Sequence, residues 1–147
     1  MNWFNDISMD IVDDIMRTLK PIKNFPDYSI RNDGTIYSHK FGKLKIVVAN
    51  TSKSNRYPKV KLYRDGKRYH RSVHRLVAEH FVKLPEKYPG ITRSVWRKTP
   101  IDVRKILIAQ LEVNHIDGDR NNFHYSNLEW MTAEDNINHY HTQIRGS

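Results

Sequence analysis

Asn114 and His115 stand side by side where a short apolar run, residues 111–116, gives way to a loop dense in Asp and Asn; Asn136 and His139 follow three residues apart. An imidazole with an ordinary pKa of about 6.5 can hold or release a proton near neutrality. Amide oxygens, imidazole nitrogens and carboxylates are the donors open to a cation. The chain has no cysteine, which removes disulfides, thiol catalysis and Cys-ligated zinc. Any metal would be held by His, Asp, Glu, Asn or backbone oxygen. Residues 112–147 hold four of the eight histidines, several Asn and almost no Lys or Arg.

These side chains need a frame that brings them together, and the local pattern supplies one. Residues 111–116 read as a strand, Asp117-Gly118-Asp119-Arg120-Asn121-Asn122 as turn chemistry, and residues 127–131 as a second strand. Thr132 with Asp135 three residues on has capping-box spacing and opens a helix to about His141. On that helix Asn136 and His139 are neighbours on one face. A small β-β-α unit therefore draws Asn114, His115, Asn136 and His139 toward one place. Asp117 and Asp119 stand near enough to bind a metal directly, but turn formation is the commoner role for Asp in such a loop.

The rest of the chain sets the context. With 147 residues and 38% hydrophobic composition it has enough material for one modest core, alone or with an appended arm. A mean hydropathy of −0.74 describes a very polar surface. No apolar run approaches a membrane span, and residues 1–20, with four acids and two bases, do not read as a secretory signal. The expected setting is cytoplasmic. Net charge is +9, unevenly spread: residues 21–82 carry fourteen Lys and Arg against four Asp and Glu, whereas residues 112–147 carry two against six. A basic gripping part joined to a polar site of other purpose follows, and the charge points to a polyanionic partner such as nucleic acid.

Ile7, Ile11, Val12, Ile15, Met16 and Leu19 recur at helical spacing, so residues 8–19 are expected to form an amphipathic helix packed on the body and stopped by Pro21. Short strands follow, Tyr28 to Ile30 and Ile36 to Ser38 about an Asn32-Asp33-Gly34 turn, with another over residues 43–48. The clearest hairpin turns at Asp65-Gly66. A two-residue turn there sets Arg64 opposite Lys67, Tyr63 opposite Arg68, Lys61 opposite His70 and Lys59 opposite Ser72. By alternation Lys59, Lys61, Tyr63, Arg68 and His70 share one face, suited to phosphate contact, while Val60, Leu62 and Tyr69 turn to a core. Alternating Lys is also how an exposed strand stays soluble, and that reading stands beside it. Residues 74–82 read as a short helix in which His74 and His80 pack or cap. Residues 83–98 read as a loop anchored by Trp96, and residues 100–111 as a helix capped by Thr99 with Pro100 in its first position and Asp102 near its positive end.

Taken together, His74-Arg75-Leu76-Val77-Ala78-Glu79, then Val113-Asn114-His115-Ile116-Asp117-Gly118-Asp119, Asn121-Asn122, Asn127-Leu128-Glu129-Trp130 and Glu134-Asp135-Asn136-Ile137-Asn138-His139, resemble the HNH endonucleases of the ββα-metal class, in particular phage homing and nicking enzymes. Residues 22–38 are similar to the strand-rich element that precedes HNH cores in such proteins.

The resemblance implies an α+β fold: an N-terminal helix (1–21), a strand-rich basic DNA-binding element with a short helix (22–82), an insertion or linker with a helix (83–111) and a C-terminal ββα-metal core (112–147). It implies a DNA endonuclease that hydrolyses phosphodiester bonds with one divalent ion, Mg2+ or Mn2+ or another, in a phage-infected or prokaryotic cell, with no small-molecule cofactor and no membrane partner; the sequence leaves the oligomeric state open, with a monomer favoured. His115 would be the general base. Asn114 and Asn136 would hold the metal, with Asn136 ranked above His139, and Asn127 would pin the loop that carries His115. Lys59, Lys61, Tyr63, Arg68, His70 and Arg120 would meet DNA. There are two departures: the position before the base is often Asp in the family and is Asn114 here, and residues 83–111 exceed the usual linker. A catalytically idle DNA-binding protein of the same fold, and a nonspecific or structure-specific nuclease, remain as alternatives.

Overall fold

The computed structural model describes residues 9–52 and 55–144, a mixed α+β arrangement of five helices and nine strands within those residues. Helix α1 (Met9–Thr18) leads into an antiparallel sheet of β1 (Leu19–Ile22), β2 (Phe25–Arg31), β3 (Ile36–Ser38) and β4 (Lys45–Val47). The second sheet orders β5 (Asn50–Ser52), β6 (Asn55–Arg64) and β7 (Lys67–Ser72). Helices α2 (Val73–Phe81), α3 (Arg93–Lys98) and α4 (Ile101–Ala109) follow, then the antiparallel pair β8 (Glu112–His115) and β9 (Leu128–Met131) and helix α5 (Ala133–His139). Among the described residues no helix is long and apolar enough to cross a membrane.

One core joins these parts. Ile22, Phe25, Tyr28, Ile30 and Ile36 from the first sheet, Val60 and Leu62 from the second, Val73, Leu76, Val77 and Ala78 of α2, and Val113 and Leu128 of the β8–β9 pair form one buried cluster. Helix α2 is its centre, since its apolar face covers the sheets while its N-terminal turn reaches β8 and β9. Leu62 and Ile30 are fully enclosed, so truncating either to Ala should cost about 2–5 kcal/mol.

The β6–β7 hairpin has the register read from its turn: Arg64 pairs Lys67, Tyr63 pairs Arg68, Lys61 pairs His70 and Lys59 pairs Ser72. Asp65 and Gly66 take φ of 51° and 72°, the two left-handed residues that match the twist of the flanking strands. Gly34 matters differently. Its φ is +91°, and a Cβ there would lie 2.6 Å from the Cβ of Phe123, so the β2–β3 turn can sit against the loop after β8 only as glycine. The Tyr125 amide donates to the Asn32 carbonyl at 2.8 Å and fastens the same junction.

Several expectations are corrected. No residue of α1 is buried, and Met9 and Met16 are exposed. Val12 and Ile15 of the apolar stripe are half-buried, and the helix is tied also by its polar side, through Arg31 to the Asp14 carboxylate at 3.6 Å and from Arg31 Nε to the Thr18 hydroxyl at 3.3 Å. Ile7 and the expected first helical residue, Ser8, lie outside the described residues. Pro21, expected only to end a helix, lies inside edge strand β1, beside a register shift where its missing N–H is tolerated. Residues 93–98 are helical rather than loop, capped by Thr92. Thr99 closes that helix, with its hydroxyl on the Val95 carbonyl at 2.8 Å, and Pro100 caps α4. Thr99 serves the preceding helix because Pro100 separates the two and supplies the extended backbone that α4 starts from.

Candidate active site

Strand β8 ends at the site, and the end is enclosed: Asn114 is 7% and His115 5% exposed. Antiparallel pairing sets Asn114 opposite Glu129 and His115 opposite Leu128. Thr132 Oγ1 accepts the Asp135 amide at 3.1 Å, starting α5 at the angle that returns Asn136 and His139 to β8. Asn114, His115, Asn136 and His139 then line one open cavity of about 630 Å³, together with Tyr57, Arg120 and His141. The four residues singled out by type and spacing therefore meet.

The two asparagines are oriented. Asn114 Nδ2 donates to Glu129 Oε1 at 2.9 Å, and Asn136 Nδ2 donates to Glu112 Oε2 at 2.8 Å. A carboxylate only accepts, so each amide must turn its nitrogen to the glutamate and its oxygen the other way. Neither glutamate stands out in the sequence. The cross-strand position of Glu129 opposite Asn114 is the one signal that could have found it.

Asn127 lies outside the cavity and holds the loop. Its Oδ1 accepts the Asp117 amide at 3.1 Å, its Nδ2 donates to Asp117 Oδ1 at 2.9 Å and to the Asn122 carbonyl at 3.1 Å, and its carbonyl accepts the Ile116 amide at 2.8 Å. Asp117 also accepts from the Asp119 amide at 2.8 Å and from Asn122 Nδ2 at 2.9 Å, which draws its carboxyl below the usual range. Asp117 and Asp119 are turn formers here, as Asp119 Oδ1 accepts the Asn121 amide at 2.9 Å.

Tyr57 and His74 are the residues that sequence reasoning misses. The Tyr57 ring lies nearly parallel to His115 at 6.0 Å between centroids and tilted against His74 at 4.8 Å, His74 and His115 are 5.0 Å apart, and the Arg120 guanidinium stands over Tyr57 at 5.0 Å. His74 lies in the first turn of α2, in a His-Arg-Leu-Val run whose pattern by itself says only packing. Burial, with His115 and Arg75 adding to it, pushes His74 down to about 4. Burial also lowers His115, opposed by Asp117 and Asp119 and aided by Arg120. Both imidazoles are thereby kept neutral. His74 Nδ1 and His115 Nε2 are buried with no hydrogen-bond partner among the described protein residues. His80, by contrast, is fully engaged, Nδ1 with the Leu76 carbonyl at 2.7 Å and Nε2 accepting the Lys23 amide at 3.0 Å.

Among the described residues no three His, Cys, Asp or Glu side chains gather as a metal cluster. The donors the cavity offers are instead the amide oxygens of Asn114 and Asn136 and the imidazole of His139. Two oriented neutral oxygens fit a hard cation that keeps water and takes its remaining ligands from phosphate.

Alternation places Tyr57, Lys59, Lys61 and Tyr63 on one side of β6, opposite buried Pro58, Val60 and Leu62. Arg68 and His70 are exposed on β7 beside them. The expected basic face thus begins at the cavity, because Tyr57 belongs to both.

Comparison with known proteins agrees with this geometry. Residues 71–137 match the profile of a family described as HNH endonuclease. The chain is 32% identical over 120 residues to the H-N-H endonuclease F-TflII of Escherichia phage T5, covering 82% of this chain and 50% of that protein. It is 29% identical over 119 residues to DNA endonuclease I-HmuI of Bacillus phage SP01, covering 80% and 54%. A solved structure of the HNH homing endonuclease I-HmuI, described for DNA binding and cleavage, superposes with a TM-score of 0.60 at 28% identity over 85% of this chain and 58% of that one. The chain spans about half the length of these relatives.

Proposed function

Because residues 71–137 belong to the HNH endonuclease family, we propose that this chain is a metal-dependent DNA endonuclease that hydrolyses phosphodiester bonds with His115 as general base. The observation that carries the reading is the convergence of Asn114, His115, Asn136 and His139 on one cavity. His115 takes the proton of a water as its oxygen bonds to phosphorus and the bond to the leaving oxygen breaks. Burial keeps the imidazole neutral and ready for that proton. With Nε2 enclosed, Nδ1 is the nitrogen we assign to receive it.

Asn114 and Asn136 are the assigned metal residues, with His139 beside them. A bound divalent ion, Mg2+ or Mn2+, would supply charge stabilisation at the phosphate and the leaving oxygen. Glu129 and Glu112 keep the two amide oxygens presented, and Asn127 with Asp117 keeps the loop after His115 in place. Tyr57 and His74 hold the ring plane of His115 from the other side. The β6–β7 face, with Lys59, Lys61, Tyr63, Arg68 and His70, and Arg120 at the cavity, are the assigned DNA contacts. In this reading the basic element of residues 22–82 grips and residues 112–147 cut.

Incubating supercoiled plasmid with the protein and Mg2+ or Mn2+, with and without chelator, tests the proposal. Relaxed circles mean nicking and linear molecules double-strand cleavage. Unchanged plasmid in the presence of metal, with binding retained, would leave an idle DNA-binding protein.

A further inference from the structure

We propose that Phe41 is an apolar wedge pressed between base pairs of duplex DNA at the far end of the basic face, about half a helical turn from the scissile bond. The inference rests on the nuclease reading above. Phe41 sits in the tight Lys40–Gly42 turn between β3 and β4, closed by the Lys43 amide on the Lys40 carbonyl at 3.1 Å. Its φ is 58°, a left-handed conformation that a bulky side chain adopts only at a cost, and it is 96% exposed. An apolar ring held out in water on strained backbone is doubly unfavourable.

The preceding residue has the opposite arrangement. Lys40, the cation, is turned inward, its Nζ over the Tyr28 ring at 5.3 Å and the Tyr63 ring at 5.1 Å. The turn thus tucks its charge and projects its aromatic, the reverse of what solubility alone would favour.

Its position gives the ring a partner. Phe41 and Tyr63 border the same depression at the hairpin tip, and Tyr63 ends the row that begins with Tyr57 on His115. Six residues of strand at about 3.3 Å each span about 20 Å, or about six base pairs at 3.4 Å. Lys43 and Lys45 follow the turn, Lys67 and Arg68 stand across the hairpin, and Asp27 and Asp65 are the acids nearby. Lys40 and Arg64 balance those acids within the depression, and the basic face continues from Tyr63 through Arg68 and Lys61. An exposed aromatic ring at the end of such a face matches a duplex, whose stacked bases are flat and apolar between two lines of phosphate. Side chains of this kind enter a base step and kink it.

The experiment uses a duplex carrying the mapped nick site, with 2-aminopurine placed at successive positions and chelator present to prevent cleavage. The wild-type protein should raise 2-aminopurine emission at one step about six base pairs from the nick. Phe41→Ala should abolish that signal and weaken binding about tenfold, as removal of one base–aromatic stack does, while leaving the salt dependence of binding unchanged. Phe41→Trp should restore both. Phe41→Gly relieves the positive φ and should fold at least as well as wild type, so a missing signal in it cannot be blamed on unfolding. Wild-type affinity and emission in Phe41→Ala would overturn the proposal, as would a change from dimer to monomer in that variant, which would assign the ring to a second copy. A wild-type protein that binds duplex without any emission change also overturns it, whereas one that binds no duplex at all fails the nuclease reading itself.

Discussion

Asn114 faces Glu129 directly across the β8–β9 pair, its amide nitrogen donating to the carboxylate at 2.9 Å. That pairing gives a physical reason for an amide rather than a carboxylate at this position. An Asp at 114 would set two carboxylates against each other, whereas the amide donates to Glu129 and keeps its oxygen free, which suits the ligand role proposed for it.

The first prediction follows from that pairing. Glu129→Ala frees the Asn114 amide to rotate and should raise the metal concentration for half-maximal cleavage by about tenfold, the usual scale for removing a group behind a ligand. Glu129→Gln keeps an acceptor and should lie closer to wild type. Asn114→Asp alone should bind Mn2+ no better than wild type, whereas Asn114→Asp with Glu129→Gln should bind it more tightly. The non-additivity, measured by Mn2+ titration, reports the coupling.

Cleavage should depend on pH through His115. Sequence alone predicts a rise through about pH 6 to 8, from an ordinary imidazole. Burial lowers the group, so the neutral base persists to lower pH and the rising limb moves to the acid side of an ordinary imidazole's. His115→Ala should abolish turnover on plasmid while retaining binding by gel shift. A variant that still nicks at the wild-type rate would remove His115 from the mechanism.

His74 predicts a stability change over a defined window. Its folded pKa is about 4 against 6.5 unfolded. Above 6.5 both states are neutral, and below 4 both are protonated. Between them the unfolded chain binds the proton and the folded one does not, so stability is full above 6.5 and is lost as pH falls to 4, by up to about 3 kcal/mol. Urea unfolding at intervals across that window should show this loss, and His74→Phe, which keeps a ring against Tyr57, should flatten it.

Salt dependence isolates the basic face. Neutralising Lys59, Lys61 and Arg68 together to Gln should reduce the slope of log affinity against log salt by about 0.9 for each phosphate left unneutralised. Fluorescence anisotropy on a labelled duplex over a salt series measures it, and an unchanged slope would return these residues to a solubility role.

Much of the fold and the site is legible in the sequence because the signals are local. The β6–β7 register follows from one Asp65-Gly66 turn and a period of two. Thr132 and Asp135 mark the start of α5. What the sequence hides depends on neighbours distant along the chain. Helix α1 keeps a helical pattern yet covers its apolar face only in part, with Val12 and Ile15 half-buried and no residue fully enclosed, since periodicity says that a face exists and not how much of it is covered. Residues 83–98 read as loop because they contain Pro85, Pro89 and Gly90, although Thr92 caps a short helix over residues 93–98.

The sequence by itself determined which side chains could act: a chain without cysteine leaves His, Asn and Asp as donors, and their spacing on a strand end and one helical face already draws four of them together. Tertiary structure alone decided how those groups are tuned. Glu129 and Glu112 orient the amides, and Tyr57 and His74 enclose the His115 ring. The reason is physical: residue type and local spacing fix chemistry and secondary structure. Orientation, desolvation and pKa arise from atoms that only the packed core brings within a few ångströms.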